Sequence, residues 1–207
     1  MAQNYAAYAR PGVPAKPFVS GHPLARWVVN LLIIGILGDA VAIVSDFMEV
    51  GLLSRALSGG FSSDAEWLTN YERQQTIASV QSLIYVTTAV LFLIWMYRVS
   101  RNLMTLGARE LKFTPHWAVG WFFVPFLNFV QPFRVMSEIW RASNPNGTKG
   151  EGILWRTLPL SPILGWWWAF WLISVIPSQI INRLSQRAET VEEYLVVSWM
   201  LLINDIT

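Results

Sequence analysis

The sequence contains no cysteine and few charged residues. Of its 207 residues, 14% are charged and 54% are hydrophobic. Without cysteine there can be no disulfide, no thiolate metal site and no thiol chemistry. The low charge is the stronger constraint, because a soluble protein of this length needs more polar surface. We therefore expect the chain to lie in a membrane.

Common catalytic and nucleic-acid-binding motifs are also missing. There is no G-x-S-x-G, H-E-x-x-H, Walker or dinucleotide-binding motif, and no basic run suited to a phosphate backbone. The two histidines, His22 and His116, are too far apart in sequence to form an i, i+4 metal pair. His116 alone could act as an axial ligand to haem or a pigment. We predict no enzyme activity, no cofactor and no nucleic-acid partner.

The sequence is rich instead in apolar runs of roughly 17 to 25 residues, the length that crosses about 30 Å of hydrocarbon. The predicted fold class is all-α, an integral membrane helical bundle with about four spanning helices. The expected spans are residues 26–53, 77–97, 161–182 and 191–206. The second span is expected to continue as a helix beyond the membrane, with Gly107 as its C-terminal cap.

The N-terminal residues differ from the rest. Residues 1–25 hold four prolines and no apolar core of the kind that a signal peptide needs. We expect a flexible tail on the cytoplasmic side. Residues 26–207 are expected to form a single transmembrane helical domain, with a loop at 54–73 between the first two spans.

A further apolar segment, residues 117–130, is marginal as a span. It has only about 14 residues and contains Pro125 and Asn128. Residues 114–131 either span or re-enter. With the N-terminus inside, re-entry places eleven Lys and Arg residues inside and four outside, whereas spanning gives nine and six. We therefore favour a broken, re-entrant segment.

The residues that follow this segment form an amphipathic pattern. Residues 132–143 place apolar side chains on one face and Arg134, Glu138 and Arg141 on another. This pattern is typical of an interfacial helix in the plane of the lipid headgroups. A short cap packed over the bundle fits the pattern equally well.

One face of the first span carries small and acidic residues. Gly35, Asp39, Ala42, Asp46 and Glu49 follow at steps of four, three, four and three, which aligns them on one side of a helix. A carboxylate inside hydrocarbon costs on the order of 2.5 to 3.5 kcal/mol on insertion scales. Asp39 must therefore find polar partners or a wet cavity.

The second span offers such partners. In an antiparallel pair of helices, Asp39 lies near the level of Tyr85, and Asp46 near Gln81. The pattern favours a buried hydrogen-bond network that joins the two helices. The alternative is a proton or cation site centred on Asp39. The candidate intramembrane polar residues are Asp39, Asp46, Gln81, Tyr85 and Asn128. Asn128 is expected to cap backbone groups freed by Pro125, with a substrate contact as the alternative.

Cationic residues gather where the second span leaves the membrane and on the amphipathic helix. They could bind anionic lipid headgroups, or simply follow the excess of Lys and Arg in cytoplasmic loops. The candidate headgroup or interface residues are Arg98, Arg101, Asn102, Arg134, Arg141 and Trp140.

The stretch 95–143 carries a distinctive set of residues at fixed spacing. They are Trp95, Arg98, Arg101, Asn102, Leu103, Leu106, Gly107, Phe113, Pro115, Trp117, Ala118, Pro125, Asn128, Pro132, Met136, Glu138, Trp140 and Ser143. With these residues the stretch resembles the core of a bacterial membrane-protein family, domain of unknown function 4328. The resemblance implies a multi-helix inner-membrane protein and no particular activity.

The functional expectation follows from the apolar, aromatic-rich surface and the missing catalytic motifs. We expect a structural or accessory subunit of a larger complex in a bacterial inner membrane, with lipids and other integral membrane proteins as partners. The alternative is a small-solute or proton pathway that uses the acidic face of the first span.

Overall fold

The computed structural model describes residues 17–146 and 153–206. Across these ranges the chain is helical and contains no strand, which confirms the all-α prediction. The α-helices of the described ranges are α1 (His22–Leu57), α2 (Asp64–Thr105), α3 (Pro115–Gly120), α4 (Gln131–Ala142), α5 (Pro162–Ser185) and α6 (Val191–Ile206).

Three of these helices, α1, α2 and α5, are long and apolar enough to cross a membrane. They have 36, 42 and 24 residues. At about 1.5 Å of rise per residue, even α5 exceeds the hydrocarbon thickness of about 30 Å. The fourth expected span, α6, has 16 residues. It reaches only about 24 Å.

The connection between α1 and α2 is shorter than the expected loop at 54–73, because two caps extend the helices into it. Gly59 has a φ of 77° and follows the last turn of α1. Ser63 and Glu66 exchange hydrogen bonds between side chain and backbone N–H at the start of α2. This reciprocal capping box starts a helix before the apolar run begins. Hydropathy alone therefore places the start of α2 too late.

The end of α2 lies where the sequence predicts it. Gly107, the predicted cap, has a φ of 93°. Its N–H donates to the Met104 carbonyl, and the Ala108 N–H donates to the Leu103 carbonyl. These two bonds form a Schellman motif, in which glycine tolerates the left-handed conformation. The chain therefore leaves α2 sharply and turns towards α3.

The described chain forms two compact units. Of the described residues, 17–28, 90–146 and 153–168 belong to unit 1, and 29–89 and 169–206 belong to unit 2. The expectation of a single domain over 26–207 stays a prediction.

Unit 1 has an apolar core built from α2, α3 and α4. Met96 and Leu103 of α2, Ala118 of α3, and Val135 and Ile139 of α4 are all buried in one cluster. The small side chains of Ala118 and Ala142 are fully buried there, which allows the helices to approach closely. Trp155 completes the cluster from the chain that precedes α5.

The segment between α3 and α4 is broken, as expected. A short 3-10 turn at Trp121–Phe123 follows α3, and another at Leu127–Phe129 precedes α4. Between them the Leu127 N–H donates to the Pro125 carbonyl at 2.7 Å, across Phe126 with a φ of 62°. This is the geometry of a classic γ-turn, which is rare for a residue with a side chain. These helical pieces are too short to cross a bilayer.

The helix α4 begins and ends close to the predicted amphipathic helix, but its buried face differs from the predicted one. Glu138 was expected on the polar face with Arg134 and Arg141, yet it is buried at 6% exposure. Val135 and Ile139 are buried on the same side, whereas Trp140 is exposed. The face assignment was wrong because Glu138 has backbone partners inside unit 1.

Unit 2 contains an antiparallel pairing of α1 and α2. Side chains of Asp39, Ser45 and Glu49 bond to α2 residues of steadily decreasing number. In the same unit, the Ser178 hydroxyl of α5 lies 3.4 Å from Asn204 Oδ1 of α6. Polar side chains therefore connect neighbouring helices in both parts of this unit.

Candidate functional site

Asp39 lies on the α1 face that packs against α2. Its Oδ1 accepts a hydrogen bond from Gln81 Nε2 at 3.0 Å and another from the Tyr85 hydroxyl. An ideal Cβ at Gly35 would lie 3.8 Å from the Tyr85 ring, so this glycine faces the same partner. Both α2 groups donate to one carboxylate oxygen, which offsets part of the cost of placing Asp39 between apolar residues.

A second polar group lies further along the same two helices. Gln74 Nε2 donates to Asp46 Oδ1 at 3.2 Å and to Glu49 Oε2 at 2.9 Å. The expected pairing of Asp46 with Gln81 is wrong, since Gln81 lies at the level of Asp39. Asp46 lies seven residues after Asp39 on α1, so in an antiparallel pair its partner lies seven residues before Gln81 on α2, at Gln74.

Arg73 of α2 also bonds to α1 near this group, although it was expected in a loop. Its Nε donates to the Ser45 hydroxyl at 2.8 Å, and its Nη2 donates to the Ser45 carbonyl and to Asn70 Oδ1. Asn70 in turn donates to Glu49 at 3.2 Å. We call the hydrogen-bonded side chains along this helix pair the α1–α2 seam: Asp39, Ser45, Asp46, Glu49, Asn70, Arg73, Gln74, Gln81 and Tyr85. Asn128 takes part in none of its bonds.

Two of the residues expected at the lipid headgroups bond to the chain that precedes α1. Asn102 is buried and exchanges hydrogen bonds with the backbone of Val19, at 3.2 and 2.7 Å. Arg98 donates to the Ser20 carbonyl at 3.2 Å. These bonds fix the chain just before α1 and engage both the oxygen and the nitrogen of the Asn102 amide. Residues 1–16 of the expected tail lie outside the described residues.

Two further candidates lie near α3. The ring of His116 is 5.2 Å from that of Tyr97, and His116 is exposed. Asn128 Oδ1 and Trp121 Nε1 are buried and make no hydrogen bond within residues 17–146 and 153–206. The Asn128 oxygen therefore does not cap the backbone around Pro125.

Glu138 of α4 bonds to the backbone of the chain between α2 and α3. Its two carboxylate oxygens accept hydrogen bonds from the backbone N–H of Lys112, at 2.6 Å, and of Phe113, at 3.2 Å. Burial raises the pKa of the Glu138 carboxyl above its ordinary value, and these two bonds and the nearby cations oppose the shift. The carboxylate therefore holds the chain between α2 and α3 against α4.

A cavity of about 530 Å³ lies beside Glu138. Trp155 lines this cavity. Its ring is held in place by a hydrogen bond from Nε1 to the Arg109 carbonyl at 2.9 Å. Next to it, Arg156 pairs with the Glu110 carboxylate at 2.7 Å and also donates to the Glu110 carbonyl. We call this space the basic cavity, and its lining residues are Lys112, Phe113, Arg134, Ser137, Glu138, Arg141, Trp155 and Leu160.

The family model described as Domain of unknown function (DUF4328) matches residues 59–206. The chain belongs to the DUF4328 family. No curated protein and no solved structure matches it. The DUF4328 match begins after α1, so the acidic face of α1 lies outside it. The basic cavity lies wholly within it, as does the α2 side of the seam.

Sequence reasoning missed several residues of these sites. Arg73 and Asn70 were assigned to a loop, although the Ser-x-x-Glu pattern at Ser63 could have placed them on α2. Trp155 stands in an irregular stretch where no periodicity predicts burial. The acceptor role of Glu138 depends on a chain reversal after α2, which its own helix does not encode.

The raised pKa of Glu138 predicts a pH dependence of stability. In the folded state this carboxyl keeps its proton to a higher pH than in the unfolded chain, which loses the proton at the ordinary pKa. The contribution of Glu138 to the free energy of unfolding should therefore fall as the pH rises from the ordinary pKa through the folded one. We expect Glu138→Gln to flatten this fall in thermal unfolding of the detergent-purified protein between about pH 4 and 8.

The matched control is Glu110→Gln, which removes an exposed carboxylate of the same loop. It should leave the slope of stability against pH close to that of the wild type. Parallel curves for the wild type and Glu138→Gln would show that Glu138 is not held in a desolvated position.

Proposed function

We propose that this chain is a non-enzymatic structural protein of a bacterial cytoplasmic membrane, where it packs as an accessory subunit against other integral membrane proteins. The observation that carries the proposal is the α1–α2 seam. Its polar side chains bond to one another across the two helices. Polar groups used in this way hold membrane helices together.

The bonding pattern of the seam favours a structural role over a pathway for protons or small solutes. Asp39 has two donors on α2, and Gln74 connects Asp46 to Glu49. A pathway needs side chains that exchange partners with a moving ion or proton. The seam residues instead support a fixed helix pair. They include Asp39, the only ionisable residue between positions 31 and 44.

Helix α5 carries a surface that could contact another membrane helix. An ideal Cβ at Gly165 would have no atom within 4 Å, and the flanking Ile163 and Trp166 are exposed. Small residues on a membrane helix permit close approach of a second helix, because lipid tails give no hydrophobic drive for association. The start of α5 is therefore the proposed contact for a partner.

Crosslinking in native membranes tests this contact. We expect the tagged wild type to give a discrete crosslinked species with one other membrane protein. Gly165→Ile should remove most of that species, because a branched side chain at this position blocks the close approach of a second helix. The control Ile176→Val alters an exposed residue of the same helix and should retain it. A chain that stays uncrosslinked in its native membrane would contradict the accessory role.

The proposed topology places the N-terminus in the cytoplasm and treats residues 114–131 as re-entrant. It is supported by the short helical pieces on either side of Phe126, which is 84% exposed at the turn. An exposed phenylalanine at such a turn suits insertion into lipid. The excess of Lys and Arg on the inner side agrees with this arrangement.

Reporter fusions distinguish re-entry from spanning. A fusion after Asn146 should report a cytoplasmic location, and a fusion after Arg187 an external one, because only α5 crosses between them. The reverse pattern at the two positions would mean that residues 114–131 span the membrane. A fusion after Arg101 serves as the cytoplasmic reference for both.

Substitutions of Asp39 test whether the seam is structural. Asp39→Asn keeps an oxygen that can accept from Gln81 and Tyr85 and removes a charge, so thermal stability in detergent should be maintained or rise. Asp39→Leu removes that acceptor and should cost roughly 0.6 to 2 kcal/mol. Glu72→Gln, at an exposed position of α2, should be neutral.

Two outcomes would count against this assignment. Wild-type stability in Asp39→Leu would show that the seam does not hold α1 to α2. If Asp39→Asn kept the fold but abolished pH-dependent proton uptake into liposomes, the pathway function would be favoured instead.

A further inference from the structure

The basic cavity has a surplus of positive charge that the described chain does not neutralise. Three of its lining residues, Lys112, Arg134 and Arg141, are cationic, and Glu138 is the one carboxylate among them. Neither ion pair in the described residues includes any of the three cations. The neighbouring Arg156, in contrast, is paired with Glu110.

The carboxylate of Glu138 is already engaged. One oxygen accepts from the Lys112 N–H and the other from the Phe113 N–H. No ion pair in the described residues joins this carboxylate to the guanidinium groups of Arg134 or Arg141. Arg141 Nε is buried and makes no hydrogen bond in the part of the chain that the structure describes. A buried donor of this kind is costly unless an acceptor completes it.

The cavity is large for a simple ion. Its volume of about 530 Å³ falls in the range of sites that hold organic ligands. Phe113, Trp155 and Leu160 add apolar side chains to its lining. Such a lining suits a molecule with an anionic head and an apolar or neutral remainder.

We propose that the basic cavity binds an organophosphate anion, carried either by a phospholipid headgroup or by a soluble phosphate ester. Two arginines and one lysine match the several acceptor oxygens of a phosphate, since guanidinium groups bind phosphate through paired N–H donors. A bound cation would face three positive side chains. The inference concerns a ligand and does not depend on the accessory role.

The test is a binding measurement on the detergent-purified full chain, at constant ionic strength set with sodium chloride. The probes are inorganic phosphate, glycerol 3-phosphate, dioctanoyl-phosphatidylglycerol and, as a zwitterionic reference, dioctanoyl-phosphatidylcholine. We expect at least one of the two phosphate esters to bind more tightly than inorganic phosphate. Binding of phosphatidylglycerol alone assigns the site to a headgroup, and binding of glycerol 3-phosphate assigns it to a soluble ester.

Charge-removing variants locate the binding. Arg141→Gln and Lys112→Gln should each lower the affinity for the bound ester by about tenfold, which is the effect of losing one charge-assisted contact. Lys112 is exposed, so its variant should fold even if Arg141→Gln does not. Arg187→Gln removes an equal charge from an exposed position between α5 and α6 and should retain wild-type affinity.

Three results would overturn the proposal. The first is binding of neither ester by the wild type, and the second is equal weakening by Arg187→Gln, which would indicate only general surface charge. The third is unchanged affinity in Lys112→Gln and in every folded Arg141 variant. The ligand site and the accessory role can fail separately. A protein that binds the ester but gives no crosslinked species contradicts only the accessory role, and a protein that is crosslinked but binds no ester contradicts only the ligand site.

Discussion

The constraint on which unit 2 depends is that hydrocarbon offers no partner to polar groups, so those on α1 and α2 must satisfy one another. Asp39 bonds to Gln81 and Tyr85, and this contact fixes both the facing sides and the level of the two helices. Gly35 allows the backbones to approach near this contact. The seam thus sets the register of the hairpin, while the apolar residues on the outer faces are free to meet lipid or another helix.

The same demand for satisfied polar groups shapes unit 1 in a different way. There Glu138 bonds to backbone rather than to side chains, and it fixes the chain reversal that follows Gly107. Neither ion pair of the described residues includes the three cations that line the adjacent cavity, and Glu138 is the one carboxylate among its lining residues. The lining therefore has more cations than carboxylates, and this surplus of positive charge is the basis for inferring a ligand site.

The sequence predicted those features that depend on local pattern. Helical class, the end of α2 at Gly107 and the break near Pro125 all follow from run length or from residues with restricted backbone geometry. The Asp39 to Tyr85 contact could be anticipated because both lie on periodic faces. The burial of Glu138 and the bonds of Asn102 could not, because each depends on a segment distant in sequence whose position no periodicity encodes.

The register of α1 against α2 is the central claim, and a pair of cysteines tests it directly in this cysteine-free chain. An ideal Cβ at Gly38 would lie 3.9 Å from Gln81 Cγ. The sulfur of a cysteine at residue 81 would take about the place of this Cγ atom. Oxidation in native membranes should therefore form an intramolecular disulfide in the Gly38→Cys, Gln81→Cys variant and not in the Gly38→Cys, Ser82→Cys variant. Equal or reversed yields in the two variants would contradict the register.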